Sequence, residues 1–457
     1  MVISLDQVRA KSLPCFGYFQ NTMPSLCDFA GKSTVFTRAY ATASRTQDSH
    51  ISMMTGLYPS SHTMNLPYAS VLPEGVVTLA SVMKENGYRT HFLGPANDPH
   101  LPLTRGMGRG FMNTYAADDP ESWITTLASI KKEATNSGSP AFYFMHTYMA
   151  HEPYMPKEEH IRRFYQGAVT SRLSYDDLCM LTYQKLVSLR PEAIQIGGGE
   201  GSLCDRLFRY QENASSVAEF DDVYSIIVDE YWHQFADLVP EEKARYLHAL
   251  YAASLYELDL SLKNFIAYLE HNGFLQNTVV VLVGDQGDEF FEHNGYSHGG
   301  TLYDEVLKVP FIIYVPGTKA STSSRLVSLI DIMPTVSKIT GVISPRSISG
   351  LDAFGTVRHA VILAEHVSDG VTAIITGRWK LIENRGEDGT EYELYDLFGD
   401  PGEKQNKVSA APRIIRAILA EYKRISKALP SYPAGKQPLP EWIGEEDRKT
   451  LIESGYF

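Results

Sequence analysis

The sequence predicts an α/β protein built on a mostly parallel central sheet, followed by a small antiparallel sheet. Three observations carry this. Short apolar runs rich in β-branched and aromatic residues (Val2–Leu5, Ala141–Met145, Thr278–Val283, Pro310–Val315) alternate with helical patterns such as Val77–Asn86 and Ala252–Leu269. Within 247–283, apolar residues recur at helical spacing from Ala253 to Leu269. Asn272-Gly273 then breaks the helix, and Thr278–Val283 reads as a buried strand. Beyond about residue 345, Ala360–Leu363, Val371–Ile375 and Trp379–Ile382 follow in quick succession, which predicts antiparallel strands before a helix at Pro412–Ala428.

These elements divide the chain into a catalytic α/β domain at 1–345 and a C-terminal α+β subdomain with its tail at 346–457. An aromatic, acidic and mostly helical stretch at 156–245 interrupts the first as an insertion or lid. The formal charge of −13 over 457 residues, with a pI near 5.6, lacks the basic footprint of a nucleic-acid binder. No run approaches the roughly 18 apolar residues of a membrane span. Met1 leads straight into Val2-Ile3-Ser4-Leu5 without a basic n-region, so no signal peptide is expected. Cys15, Cys27, Cys179 and Cys204 are too scattered for a disulfide scaffold, so reduced thiols in a cytoplasmic protein are expected.

Chemistry concentrates where strands end. Asp6-Gln7 follows the first strand and Asp285-Gln286 follows Val279–Gly284. Polar groups at the carboxyl ends of parallel strands are where α/β enzymes place their sites. A carboxylate beside an amide oxygen on two neighbouring strands could hold one hard divalent cation. Either pair alone is more often a cap or loop feature. Between them in the chain lies Ala43-Ser44-Arg45-Thr46-Gln47-Asp48-Ser49-His50, packed with hydroxyls ahead of an apolar helical turn. A helix start aims N–H groups at an anion and would help a hydroxyl there to lose its proton. For the motif by itself, a Ser/Thr-rich N-cap is the ordinary reading.

The ordered motifs resemble the sulfatase branch of the alkaline phosphatase superfamily nearly end to end. Val2–Ala10 with Cys15-Phe16-Gly17-Tyr18 and Met23-Pro24-Ser25-Leu26 resembles the family's first metal strand and loop. Thr46–Pro59 resembles the nucleophile motif, His151-Glu152-Pro153-Tyr154 the His-x-Pro segment, and Val283–Gly287 the second metal strand. Ser297–Glu305, Leu329–Thr335 and Glu393–Leu397 with Asp400-Pro401 and Asn406 match later signatures. The resemblance implies an alkaline-phosphatase-like sandwich, a small anionic ester as substrate, and metal ligands Asp6, Gln7, Asp285 and Gln286.

Departures from the family set the expected chemistry. Thr46 stands where sulfatases carry a Cys or Ser oxidised to formylglycine. Its carbinol carbon bears a methyl group, so no formylglycine is expected. Threonine-type relatives cleave or transfer phosphoryl groups, and like them this chain has Ser49-His50 where sulfatases close the motif with Ser-Arg. The resemblance then implies in-line attack by Thr46 on a phosphate or phosphonate ester, with one divalent cation (Ca, Mg or Mn rather than Zn). His298 and His151 serve as proton donors or charge stabilisers, His50 joins the catalytic set, and Ser49, His100 and Arg45 bind substrate. Rival readings are a phosphoryl transferase using an acceptor alcohol, a sulfuric ester hydrolase, and an anion-binding pseudoenzyme. His91, His146, His160, His271 and His293 read as solvated or core residues, Asp259 as structural, and Asp288-Glu289 with Glu292-His293 as a solvated acidic loop.

Overall fold

A computed structural model describes residues 1–436 apart from 65–69, 96–100, 134–137, 168–173, 199–201, 205, 208–225, 229, 232, 236–237, 387–388 and 434. The chain forms two compact units. One comprises 1–150 with 258–436, and the other includes 151–257.

The first unit is organised around an eight-stranded sheet. Its strands are β1 (Val2–Leu5), β2 (Thr34–Tyr40), β4 (Arg89–Gly94), β5 (Asn113–Ala116), β6 (Ala141–Thr147), β7 (Val280–Gly284), β10 (Phe311–Tyr314) and β11 (Ser321–Ser328). Their spatial order is β11-β2-β10-β7-β1-β6-β4-β5. Short ribbons account for β3 (Ser70–Val71), β8 (Glu289–Phe290) and β9 (Tyr296–Ser297). Only β10 among the eight runs antiparallel to its neighbours. β1 lies parallel between β6 and β7, with Leu5 opposite Thr147 and Gly284. All four β1 residues are buried, as expected of a strand covered on both faces. This register sets the ends of β1 and β7 side by side, so Asp6 and Asp285 emerge at one edge.

Three helices near the amino terminus matter for the site: α1 (Pro24–Ala30), α2 (Thr46–Thr55) and α3 (Pro59–His62). Asp259 accepts the N–H groups of Ser25 and Leu26 at 2.9 and 2.8 Å, capping the start of α1 in the structural role expected of it. All ten residues of α2 are buried, and Gly56 (φ 68°) ends it in the left-handed conformation that glycine adopts without Cβ strain.

A four-stranded antiparallel sheet completes the first unit: β12 (Val361–His366), β13 (Val371–Thr376), β14 (Trp379–Gly386) and β15 (Gly389–Asp396). The helix Pro412–Ser426 lays Ile414, Ile415, Ile418, Leu419 and Tyr422 against its core residues Leu363, Ile374, Leu381 and Leu394. The spacing i, i+1, i+4, i+5, i+8 is one apolar helical face. Ile418 is buried, a contribution of about 1.5–3 kcal/mol, and the other four are half-buried and contribute less. No described helix is long and apolar enough to cross a membrane.

The second unit contains helices at Glu158–Phe164 and Tyr175–Leu189. Leu186, Ala193, Ile196, Leu207, Ile226 and Ile227 form a core of its own. Among the aromatics of the insertion, Tyr231 meets Phe235 edge to face and packs the same way on Tyr154, which is the core-building role. Phe208, Tyr210, Phe220, Tyr224 and Trp232 lie outside the described residues. The expectation of reduced thiols is corrected: Cys15 pairs with Cys27 and Cys179 with Cys204, leaving no free cysteine. Separations of 12 and 25 residues carried no signature in the sequence. Folding sets the Cα atoms 5.4 and 5.3 Å apart, within disulfide reach.

Candidate active site

Strand ends and one helix start build the site. Asp6 and Gln7 follow β1, Asp285 and Gln286 follow β7, and Thr46 is the first residue of α2. All five are buried. Thr46 Oγ donates to Asp6 Oδ2 at 3.4 Å and accepts from Gln286 Nε2 at 3.1 Å. The N-cap of α2 is Arg45, and no side chain caps the first turn, so the ordinary N-cap reading of this hydroxyl-rich segment does not describe it.

Backbone shape tightens the cluster. Gln7 adopts φ 55°, a left-handed conformation uncommon for a non-glycine residue and of the kind that gathers at functional sites. Its N–H donates to Asp285 Oδ1 at 3.1 Å, and the Gln286 N–H donates to the same oxygen at 2.8 Å. Gly287 lets the β7 loop press against its neighbours. A Cβ there would meet the Glu305 carbonyl oxygen at 2.3 Å and Arg9 Cβ at 2.5 Å.

The electrostatics suit a cation. Burial raises the Asp285 carboxyl well above its ordinary range, and the adjacent Asp6 charge raises it further. Asp285 Oδ2 and Gln286 Oε1 are buried without a hydrogen-bond partner. Two like charges and unsatisfied oxygens in a dry site are what a hard divalent ion would neutralise. Among the described residues no three His, Cys, Asp or Glu side chains form a metal-holding group. The donors that fit are therefore two carboxylates with amide and hydroxyl oxygens, a set suited to Ca, Mg or Mn.

Of the other expected residues, His298 joins the cluster: its Nδ1 lies 2.7 Å from Gln7 Nε2 and 3.0 Å from Asp288 Oδ1. Both contacts fall on Nδ1 and orient the imidazole within the cluster, where it can serve in proton exchange with a leaving group. His50 is buried, with Nδ1 2.7 Å from the Thr46 carbonyl and Nε2 2.9 Å from Ser4 Oγ. Burial, then His146, holds its pKa well below the ordinary value, so it is neutral. It braces α2. Ser49 donates to the Ala43 carbonyl at 3.2 Å. Arg45 pairs with Asp369 at 2.6 Å and reaches the Gly299 carbonyl at 3.5 Å. His151 belongs to the second unit, where Nδ1 is 2.5 Å from the Glu152 carbonyl. His100 lies outside the described residues.

Two residues read as bland belong to the site. His146, at the end of β6, is fully buried; its Nδ1 is 3.1 Å from His50 Nε2 and its Nε2 3.4 Å from Asp6 Oδ2. The signal was available: it stands at the carboxyl end of a parallel strand, like Asp6 and Asp285. The solvated acidic loop is also corrected, because Asp288 and Glu289 are buried. Arg9 binds Glu292 Oε1 and the Asp288 carbonyl, both at 2.8 Å, and Thr301 donates to Glu289 at 2.8 Å. An isolated arginine three residues after Asp6 gave no hint of that partner.

Comparisons with known proteins identify the family and the fold. The family described as Sulfatase matches residues 1–342, and that described as N-sulphoglucosamine sulphohydrolase, C-terminal, matches 292–426. Arylsulfatase K of Bos taurus is 27% identical over 226 residues, covering 44% of this chain and 41% of its own, so the chain spans about two-fifths of that relative. A Delta 4,5-hexuronate-2-O-sulfatase of Bacteroides thetaiotaomicron is 22% identical over 93% of this chain and 87% of its own. Among solved structures, one in complex with its substrate D-glucosamine-2-N,6-O-disulfate superposes with a TM-score of 0.69 at 19% identity, covering 93% and 97% of the two chains. The phosphonate monoester hydrolase of Agrobacterium radiobacter gives 0.64 at 20%, covering 93% and 95%. At these identities the structures share the fold.

Proposed function

Because the chain belongs to the sulfatase family of ester hydrolases, we propose that it hydrolyses an anionic ester by in-line attack of Thr46, with a phosphate or phosphonate ester as substrate. One observation carries this reading: the Thr46 hydroxyl sits at the start of α2, hydrogen-bonded to Asp6 and Gln286.

Family members bind a divalent ion, typically calcium, and usually carry formylglycine. Asp6, Asp285 and Gln286, with Gln7 beside them, would hold that ion, which supplies charge neutralisation at the ester oxygens and eases ionisation of the hydroxyl. Asp6 Oδ2 receives the Thr46 hydroxyl hydrogen bond, so the proton has an acceptor as the Oγ–P bond forms. The P–O bond to the alcohol breaks in the same step, and His298, oriented by Asp288, protonates the departing oxygen. Water then attacks phosphorus and returns threonine. Unmodified threonine favours phosphorus, because it cannot form the hydrated aldehyde that expels sulfate.

A sulfate ester is the second reading, favoured by the sulfatase names of the relatives. The experiment compares bis(p-nitrophenyl) phosphate, p-nitrophenyl phenylphosphonate and p-nitrophenyl sulfate, with and without chelator, in wild type and Thr46→Ala. Phosphorus esters should turn over fastest, with loss in both the chelated enzyme and the variant. Turnover confined to the sulfate would overturn the substrate assignment. The two disulfides also support folding in an oxidising compartment rather than the cytoplasm.

A further inference from the structure

We infer that the β12–β13 edge of the C-terminal sheet is a working part of the site, with His366 as a positioning residue for Thr46 and His298. This deepens the reading above and rests on Thr46 being the nucleophile.

The junction is Ser44, two residues before Thr46. Its Oγ lies 2.8 Å from His366 Nε2 and 2.9 Å from the Thr301 carbonyl. One buried hydroxyl therefore joins three segments: the turn entering α2, the loop following His298, and the last residue of β12. Further bonds run in parallel. The Glu365 N–H donates to the Thr42 carbonyl at 2.8 Å, and Arg45 ties Asp369, in the β12–β13 turn, to the Gly299 carbonyl. Thr301 Oγ reaches on to Glu289, four residues after Asp285. The start of α3, which follows α2, is held by the same strand, since Glu365 Oε2 accepts the Ser60 N–H at 2.9 Å and the Leu363 N–H reaches Tyr58 Oη at 3.4 Å.

Ser44 and His366 are buried and bonded to each other and to the Thr301 carbonyl, which suits a positioning role rather than substrate contact. Their role is to fix where Thr46 Oγ and His298 stand relative to each other. A buried hydrogen bond between segments far apart in sequence suits that role, because breaking it leaves an unsatisfied partner and frees both ends. A sheet that served only as a scaffold could attach through apolar contacts. This one sends polar side chains into the turn carrying the nucleophile.

The test is a double-mutant cycle on turnover of the three p-nitrophenyl esters, with thermal unfolding measured in parallel. Ser44→Ala and His366→Ala should each lower kcat roughly 10- to 100-fold with KM within about threefold, and together cost little more than either alone. His366→Gln, which keeps a side-chain nitrogen, should recover part of kcat. Ile374→Ala, in the sheet's apolar core, controls for stability: it should lower Tm while leaving kcat near wild type. Additive losses, no rescue by His366→Gln, or a kcat that follows Tm across all variants would overturn the inference. Retained turnover in Thr46→Ala, or no wild-type turnover of any ester, would overturn both this and the reading beneath it. Loss in Thr46→Ala with unchanged kcat in Ser44→Ala and His366→Ala would overturn the inference alone.

Discussion

Two buried acidic clusters in the first unit meet their charge in different ways. Behind the sheet junction, Asp304 and Glu403 close on Lys380, whose Nζ lies 2.9 and 2.7 Å from their carboxylates, all three almost fully buried. Burial alone would raise the Asp304 carboxyl, but Lys380, Lys11 and Lys308 outweigh it and hold the pKa below its ordinary value, while burial, with Lys380 opposing and Asp304 adding, lifts Glu403 to about 7. At the strand ends, Asp285 faces Asp6, two backbone N–H groups and neutral His50, and its pKa is pushed up. The first cluster carries its own cation and serves the fold. The second carries no internal cation partner, and the proposed divalent ion would supply that charge.

The contrast breaks most visibly at Asp285. Asp285→Ala should abolish cation uptake, read by calorimetric titration with calcium or manganese, and reduce turnover by at least about 10³-fold, the range typical for removing essential machinery. Its Tm with added cation should no longer rise above the Tm without, whereas that of wild type should. Retention of uptake would merge the two clusters into one structural class. Lys380→Met should show the reverse pattern. Leaving Asp304 and Glu403 without their partner should cost about 3–5 kcal/mol in denaturant unfolding, while calcium or manganese uptake persists.

Asp48, on α2, sharpens the comparison because it is buried without an internal lysine. Burial raises its pKa to about 7; Arg45 opposes the shift, while Glu365 and Asp369 add to it. The folded protein therefore holds this proton at pH values where the unfolded chain, with an ordinary value of about 4, has released it. The contribution of Asp48 to stability falls as pH rises from about 4 to about 7 and is flat above. Asp48→Asn should remove that slope, so the variant gains on wild type between pH 5 and pH 8 in parallel denaturant titrations. Equal slopes would show that Asp48 is ionised throughout. The smallest effect is covalent: under non-reducing conditions the intact mass should be lower by four hydrogens, two for each disulfide. A mass matching four thiols would restore the cytoplasmic expectation.

The parts of the site legible in the sequence were those signalled by local context. Asp6 and Asp285 follow apolar runs that could only be central strands, and Thr46 opens a helix after a hydroxyl-rich turn. The strand limits also held closely, with Val2–Leu5 unchanged and Thr278–Val283 moving to Val280–Gly284, because buried parallel strands are marked by composition alone. What stayed hidden depends on partners distant in the chain. Asp288 looked solvated because its acidic neighbours suggest an exposed loop, yet Arg9, 279 residues away, pins that loop inward. Arg45 has an ion-pair partner, Asp369, that lies 324 residues away. Ser44 and His366, 322 positions apart, share no pattern that a single sequence displays, and neither do the cysteine pairs.

The central claim is that unmodified Thr46 forms and releases a covalent bond to the substrate. Rapid-quench mass spectrometry of the peptide containing Thr46, during turnover of p-nitrophenyl phenylphosphonate with calcium or manganese, tests it most directly. The predicted result is a phosphonyl adduct on Thr46 that appears within one turnover and decays as substrate is exhausted. Steady turnover with residue 46 never modified would contradict it.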